Sequence, residues 1–90
     1  MVKIIEKTGK TMEEALIILE AENNTQGIQY EYYYLSKRFG LRGKDWKLKS
    51  QSLHEKDGKM YDKMDIIIND RSEKTVFFDI TDFFGKGLGI

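Results

Sequence analysis

The sequence predicts a single α+β domain in two layers, one helix packed on a mainly antiparallel four- to five-stranded sheet in the order β-α-β-β-β-β. Three observations lead to that class. The chain has 90 residues with no Cys and no Pro, which suits one domain without a disulfide framework. One segment, beginning at Thr11, combines a capping-box pattern with apolar residues at helical spacing. Five other segments are rich in β-branched and aromatic residues. Between two of them stands Asp57-Gly58, a hairpin signal because both residues tolerate positive φ.

Residues 2–7 (VKIIEK) open the chain as a short strand, and Thr8-Gly9-Lys10 follows as a turn. Thr11 and Glu14 stand three apart, the spacing at which side chain and backbone satisfy two orphan helix amides reciprocally. Met12, Ala15, Leu16 and Leu19 recur at i, i+3, i+4 and i+7, and the helix should fade through Glu22-Asn23-Asn24 with Gly27 as its exit. Residues 28–35 (IQYEYYYL) put Ile28, Tyr30, Tyr32 and Tyr34 at alternate positions, which reads as a strand. Ile28, Tyr32, Leu35 and Phe39 also fit helical spacing, and Lys37-Arg38 before Gly40 resembles a helix end. Period and propensity together favour the strand. A glycine-bearing loop at 40–43 leads to strands over 45–54, 60–68 and 74–81, with a longer turn from Asn69 to Glu73. Residues 1–84 should form the domain, leaving 85–90 as a glycine-rich tail.

Alternation assigns the faces. The helix-covered core should take Ile4, Ile28, Tyr30, Tyr32, Trp46, Leu48, Met64, Ile66, Ile68, Val76, Phe78 and Ile80. The open face should carry Tyr33, Lys47, Lys49, Gln51, Tyr61, Lys63, Asp65, Phe77 and Asp79.

Composition narrows the function classes. Apolar residues make up 40% of the chain and aromatics 12%, with fifteen cations against fifteen anions, so a folded domain is expected rather than a disordered or DNA-coating chain. The longest apolar runs, Ala15 to Leu19 and Ile66 to Ile68, fall far short of the roughly 20 residues that span a bilayer. No membrane association is expected, and the location should be cytoplasmic. Lys, Ile and Asn are frequent, as AT-rich codons favour, which points to a low-GC bacterium or its phage.

The motifs that could carry chemistry are incomplete. Gly9-Lys10-Thr11 sits where a phosphate-binding loop would end, but position 4 of the chain is Ile instead of the Gly that lets backbone amides cradle an anion. The stretch Thr8 to Leu16 (TGKTMEEAL) resembles the strand-turn-helix opening of the N-terminal domain of Jag-type RNA-binding proteins over nine residues, and no function is carried over from it. The glycines from Gly85 to Gly89 open no helix, as a dinucleotide fingerprint must. His54 is the only His, and alternation puts it on one side of a strand with Ser50 and Ser52, without a clear productive pairing. Asp65 and Asp79 share a face with Lys49 and Lys63 interleaved, an arrangement for cross-strand ion pairs and not for a metal. Neither catalysis, nor a metal, nor a cofactor is expected.

Two surfaces remain. Residues 37–49 hold six cations against Asp45, a local charge of +5 between flanks of −3 and −2. Arg38, Arg42, Lys44, Lys47 and Lys49 here, with Trp46, Tyr33 and Tyr61, could pair cations with stacking aromatics, as single-stranded nucleic-acid binders do. Ile17 lies about 150° from the helical stripe, with Ala21 beside it, and Phe77, Phe83, Phe84 and Leu88 add apolar surface near the C-terminus. These residues predict a protein contact. The leading expectation is a small non-catalytic interaction domain that binds a protein partner or forms a homodimer, with nucleic-acid binding the alternative.

Overall fold

The computed structural model describes residues 2–69 and 71–85. Six elements follow one another: β1 (Lys3–Ile5), β2 (Leu16–Leu19), α1 (Asn24–Phe39), β3 (Trp46–Lys56), β4 (Lys59–Ile68) and β5 (Glu73–Asp79). They build one five-stranded sheet in the order β1-β2-β5-β4-β3. β3, β4 and β5 form an antiparallel meander, β1 lies antiparallel on β2, and β2 runs parallel to β5. The class is α+β as expected, with a mixed sheet and the order β-β-α-β-β-β. The radius of gyration is 12.8 Å, against about 12 Å for a compact chain of this length. Among the described residues no helix is long and apolar enough to cross a membrane. Of the tail expected at 85–90, Gly85 closes the turn that follows Ile80, and residues 86–90, with Leu88, lie outside the described residues.

Two segments exchange the secondary structure expected of them. The helix expected from Thr11 does not form. Thr11 Oγ1 does accept from the Glu14 amide, at 3.2 Å, but the bond closes a single turn, with Ala15 N donating to Met12 O. The chain then extends into β2. Its run Ala15–Leu19, with β-branched Ile17 and Ile18, suits a strand, and β2 pairs with both β1 and β5. The turn and strand found here also differ from the opening of the Jag-type domain.

The strand expected over 28–35 is instead the middle of α1. Asn23 is its N-cap, extended in backbone and accepting from the Gln26 amide at 2.8 Å. Lys37 and Arg38 occupy the last turn, and Gly40 closes the helix with φ 105°. The spacing Ile28, Tyr32, Leu35, Phe39 is the one the fold uses: Leu35 is buried, and the other three pack against the core. Gly27, expected as an exit, is helical and buried under Phe83.

The core lies between α1 and the sheet. Trp46, Met64, Ile66, Val76, Phe78 and Ile80 are buried as expected, while Ile4, Ile28, Tyr32, Leu48 and Ile68 pack at its margin. Leu16, Ile18, Ala21, Tyr34, Leu35 and Phe83 join them, and Tyr30 stays half-exposed outside the cluster. Strict alternation fails in β3, where the register shifts between Leu48 and Ser50. Beyond that bulge Gln51 pairs with Met64 and Leu53 with Asp62, so Gln51 turns to the helix side and not to the open face.

Candidate partner-binding groove

β3 is an edge strand of eleven residues, paired with β4 on one side only. Beyond Trp46, which the Arg42 bridge and the Gly43 amide engage, its outer edge has no strand neighbour among the described residues. On the helix side of this edge a groove of about 410 Å³ runs between the N-terminal turns of α1 and the middle of β3. Ile28, Leu53, Ile80, Phe83 and Phe84 form its walls, and Gln51 and Asp62 supply polar groups. Leu53 is 53% exposed and Phe84 40%, so the outer wall is open to solvent.

Asp62 is buried and accepts from Gln51 Nε2 at 2.8 Å. Beside it, on the helix, Glu31 has no exposed surface. As a carboxylate Glu31 has no donor at either oxygen. As a neutral carboxyl it can donate to Asp62. Burial first, then this contact and the charge of Asp62, push its pKa up to about 10, so Glu31 stays protonated at neutral pH.

The expected contact residues divide between surface and core. Phe84 is exposed on the groove, whereas Ala21 and Phe83 are buried and offer no contact surface. Phe83 is held inside because its ring stacks over the bare backbone of Gly27. Ile17 is on β2, not on a helix; it pairs with Ile5 and Asp79 and shares the open face with Phe77, both half-buried. Ile5, 45% exposed, extends this strip.

The aromatic platform expected for nucleic acid does not assemble. Tyr33 is exposed on the helix, away from the sheet, because 28–35 is helical. Trp46 is buried, its Nε1 donating to Gly40 O at 2.8 Å. Tyr61 is also buried, at the end of a cleft with Met12, Glu13 and Lys56. The cations are scattered. Arg38 donates to Tyr34 Oη and Thr8 O, Arg42 lies 4.2 Å over the Tyr32 ring, and Lys49 is paired with Glu73. Lys44 and Lys47 do converge, with Arg71, on a cleft of about 300 Å³ beside the β4–β5 turn.

Neither sequence motif becomes a chemical site. The Gly9 amide donates to Glu14 O at 2.7 Å and so is closed off within its own turn. Ser52 Oγ and His54 Nε2 stand 2.8 Å apart on the exposed face of β3, a nucleophile–base contact in the open. Among the described residues no group of three or more His, Cys, Asp or Glu could hold a metal.

Sequence reasoning missed Glu31, Asp62 and Leu53. Asp62 was visible in the alternation Met60, Asp62, Met64, Ile66, Ile68, where it is the polar member of an apolar series. Glu31 shows only on the helical spacing, next to the row Ile28, Tyr32, Leu35. No protein-family model matches the chain, and no curated protein or solved structure is significantly similar to it.

Proposed function

We propose that the chain is a small non-catalytic interaction domain of the cytoplasm, which accepts an extended segment of a protein partner along the free edge of β3. The observation that carries this reading is the combination of a long strand edge and an open apolar groove directly beside it. Backbone hydrogen bonds along such an edge supply affinity, and side-chain pockets next to it supply selectivity. Lys47 and Lys56 are set on the open face, opposite the groove, so the charges that guard the edge leave the helix side unblocked. A second copy of the chain is one such partner.

The test is an amide-resolved NMR titration of the full chain with the strand-forming peptide acetyl-Thr-Val-norleucine-Val-Thr-amide, alongside sedimentation velocity of the chain alone. Shifts confined to residues 46–56 and to the groove, or concentration-dependent dimerisation, with either effect lost in Leu53→Glu, support the reading. Leu53 is exposed but lies opposite Asp62, so the amide spectrum of β4 and β5 checks that the variant is folded. Shifts elsewhere, or no binding and a monomer throughout, overturn it.

A second reading, single-stranded nucleic acid, draws on the convergence of Lys44, Lys47 and Arg71. Titration with an oligothymidylate would then shift that cleft instead, with an affinity that falls steeply with salt.

A further inference from the structure

Resting on strand docking at β3, we infer that the groove receives a basic side chain, arginine or lysine, from the docked segment, held by the Asp62 carboxylate with Glu31 behind it. The fold buries these two carboxyl groups and supplies no cation to them. No ion pair among the described residues involves either one, and the donors to Asp62 are neutral groups, the Gln51 amide and the Glu31 carboxyl. A carboxyl buried without a counter-charge is costly, and an apolar residue of similar volume usually serves stability better. A domain of 90 residues has little margin for that cost, so a cation supplied from outside accounts for the pair where stability does not.

Position and shape agree with a side chain arriving from β3. Asn24 and Ile28 line the groove, and Glu31 continues their helical row one turn further in. Asp62 is the cross-strand partner of Leu53. A strand added outside β3 would lie two strand spacings, about 10 Å, from Asp62. Only a long side chain crosses Leu53 over that distance. Its methylene stem would rest on the apolar walls made by Ile28, Leu53 and Phe84, and its charged head would end at Asp62, the carboxyl group that lines the groove. Two carboxyls and one amide are too few oxygens for a dedicated metal cage, whereas they match the donors of one guanidinium or ammonium group.

The test compares three probes on the full chain by NMR: the norleucine peptide, the same peptide with arginine at its third position, and n-butylguanidinium alone. The inference expects the arginine peptide to bind about ten-fold tighter or more. It also expects the guanidinium to shift the Gln51 side-chain amide and the Asp62 carboxyl carbon. Asp62→Asn should abolish the arginine preference and Glu31→Gln should reduce it, and their β3 spectra report whether each is folded. Equal binding of the two peptides overturns the inference and leaves strand docking standing. Guanidinium shifts at Asp62 without binding of either peptide keep the cation site and overturn strand docking. No response to any probe overturns both.

Discussion

Glu31 on α1 and Asp62 on β4 meet inside the fold as a carboxyl pair, and the Gln51 side-chain amide donates to Asp62 at 2.8 Å. Burial, then the hydrogen bond to Asp62 and its neighbouring charge, keep Glu31 protonated to about 10. In the unfolded chain the same carboxyl ionises near 4.5.

This difference sets a direction for stability against pH. Between 4.5 and about 10 the native state binds more protons at Glu31 than the unfolded chain does. Its contribution to stability is therefore fully present below 4.5 and falls as pH rises, by up to about 1.4 kcal/mol per pH unit. Glu31→Gln keeps the shape and removes the titration. Urea unfolding from mildly acidic to alkaline pH should show wild type losing stability across the range. The variant should stay flatter, and its advantage should grow with pH. Parallel curves would mean that Glu31 is ionised in the native state.

Gly27 tests the packing above that pair. In an exposed helix interior Gly→Ala stabilises by up to about 1 kcal/mol, through backbone entropy. Here a Cβ would stand 2.5 Å from three carbons of the Phe83 ring, which is itself fully buried. Gly27→Ala should therefore destabilise, by about 1–3 kcal/mol, as overpacked cores do. Thermal unfolding reads the sign directly. A raised Tm would mean that Phe83 moves freely and that the groove wall it forms is soft.

Both residues bear on what could be read from sequence. The meander β3-β4-β5 was legible because β4 and β5 alternate and Asp57-Gly58 marks the turn; Asp57 and Gly58 do adopt φ of 53° and 80°. The first half of the chain was not, because two signals conflicted there. Thr11 and Glu14 make a capping contact that a single turn also satisfies, and the run at 15–19 fits either a helix stripe or a strand buried on both faces. Which one forms is decided by β5, some sixty residues later, whose Phe78 and Asp79 pair with Leu16 and Ile17. A local reading has no access to that contact. Three neighbouring tyrosines raised the strand propensity of 28–35, yet Asn23, Lys37, Arg38 and Gly40 carry the helix signals that prevail. The groove was hidden for a further reason: the β3 bulge inverts alternation from Ser50 onward and turns Leu53 and Gln51 toward α1.

Asp65 is the residue that anchors the strand beyond this bulge. Ser50, the first paired position after the register shift, lies opposite it. Its carboxylate accepts from Thr75 Oγ1 at 2.6 Å and from Ser50 Oγ at 3.0 Å. The Thr75 bond, chiefly, and then the Ser50 bond and the nearby Lys63 and Lys49 charges hold its pKa below the ordinary 3.8 against a smaller opposing effect of burial. A lowered carboxyl pKa stabilises the fold above 3.8, and that contribution is lost as pH falls through the native value. Thr75→Val should move the carboxyl-carbon NMR midpoint of Asp65 upward, and Ser50→Ala should move it less. Ser50→Ala cuts the tie between the bulge and β4, so the amides of residues 50–53 should exchange faster while those at 59–63 change little. Unchanged exchange at 50–53 would show that backbone pairing alone fixes the register that opens the groove.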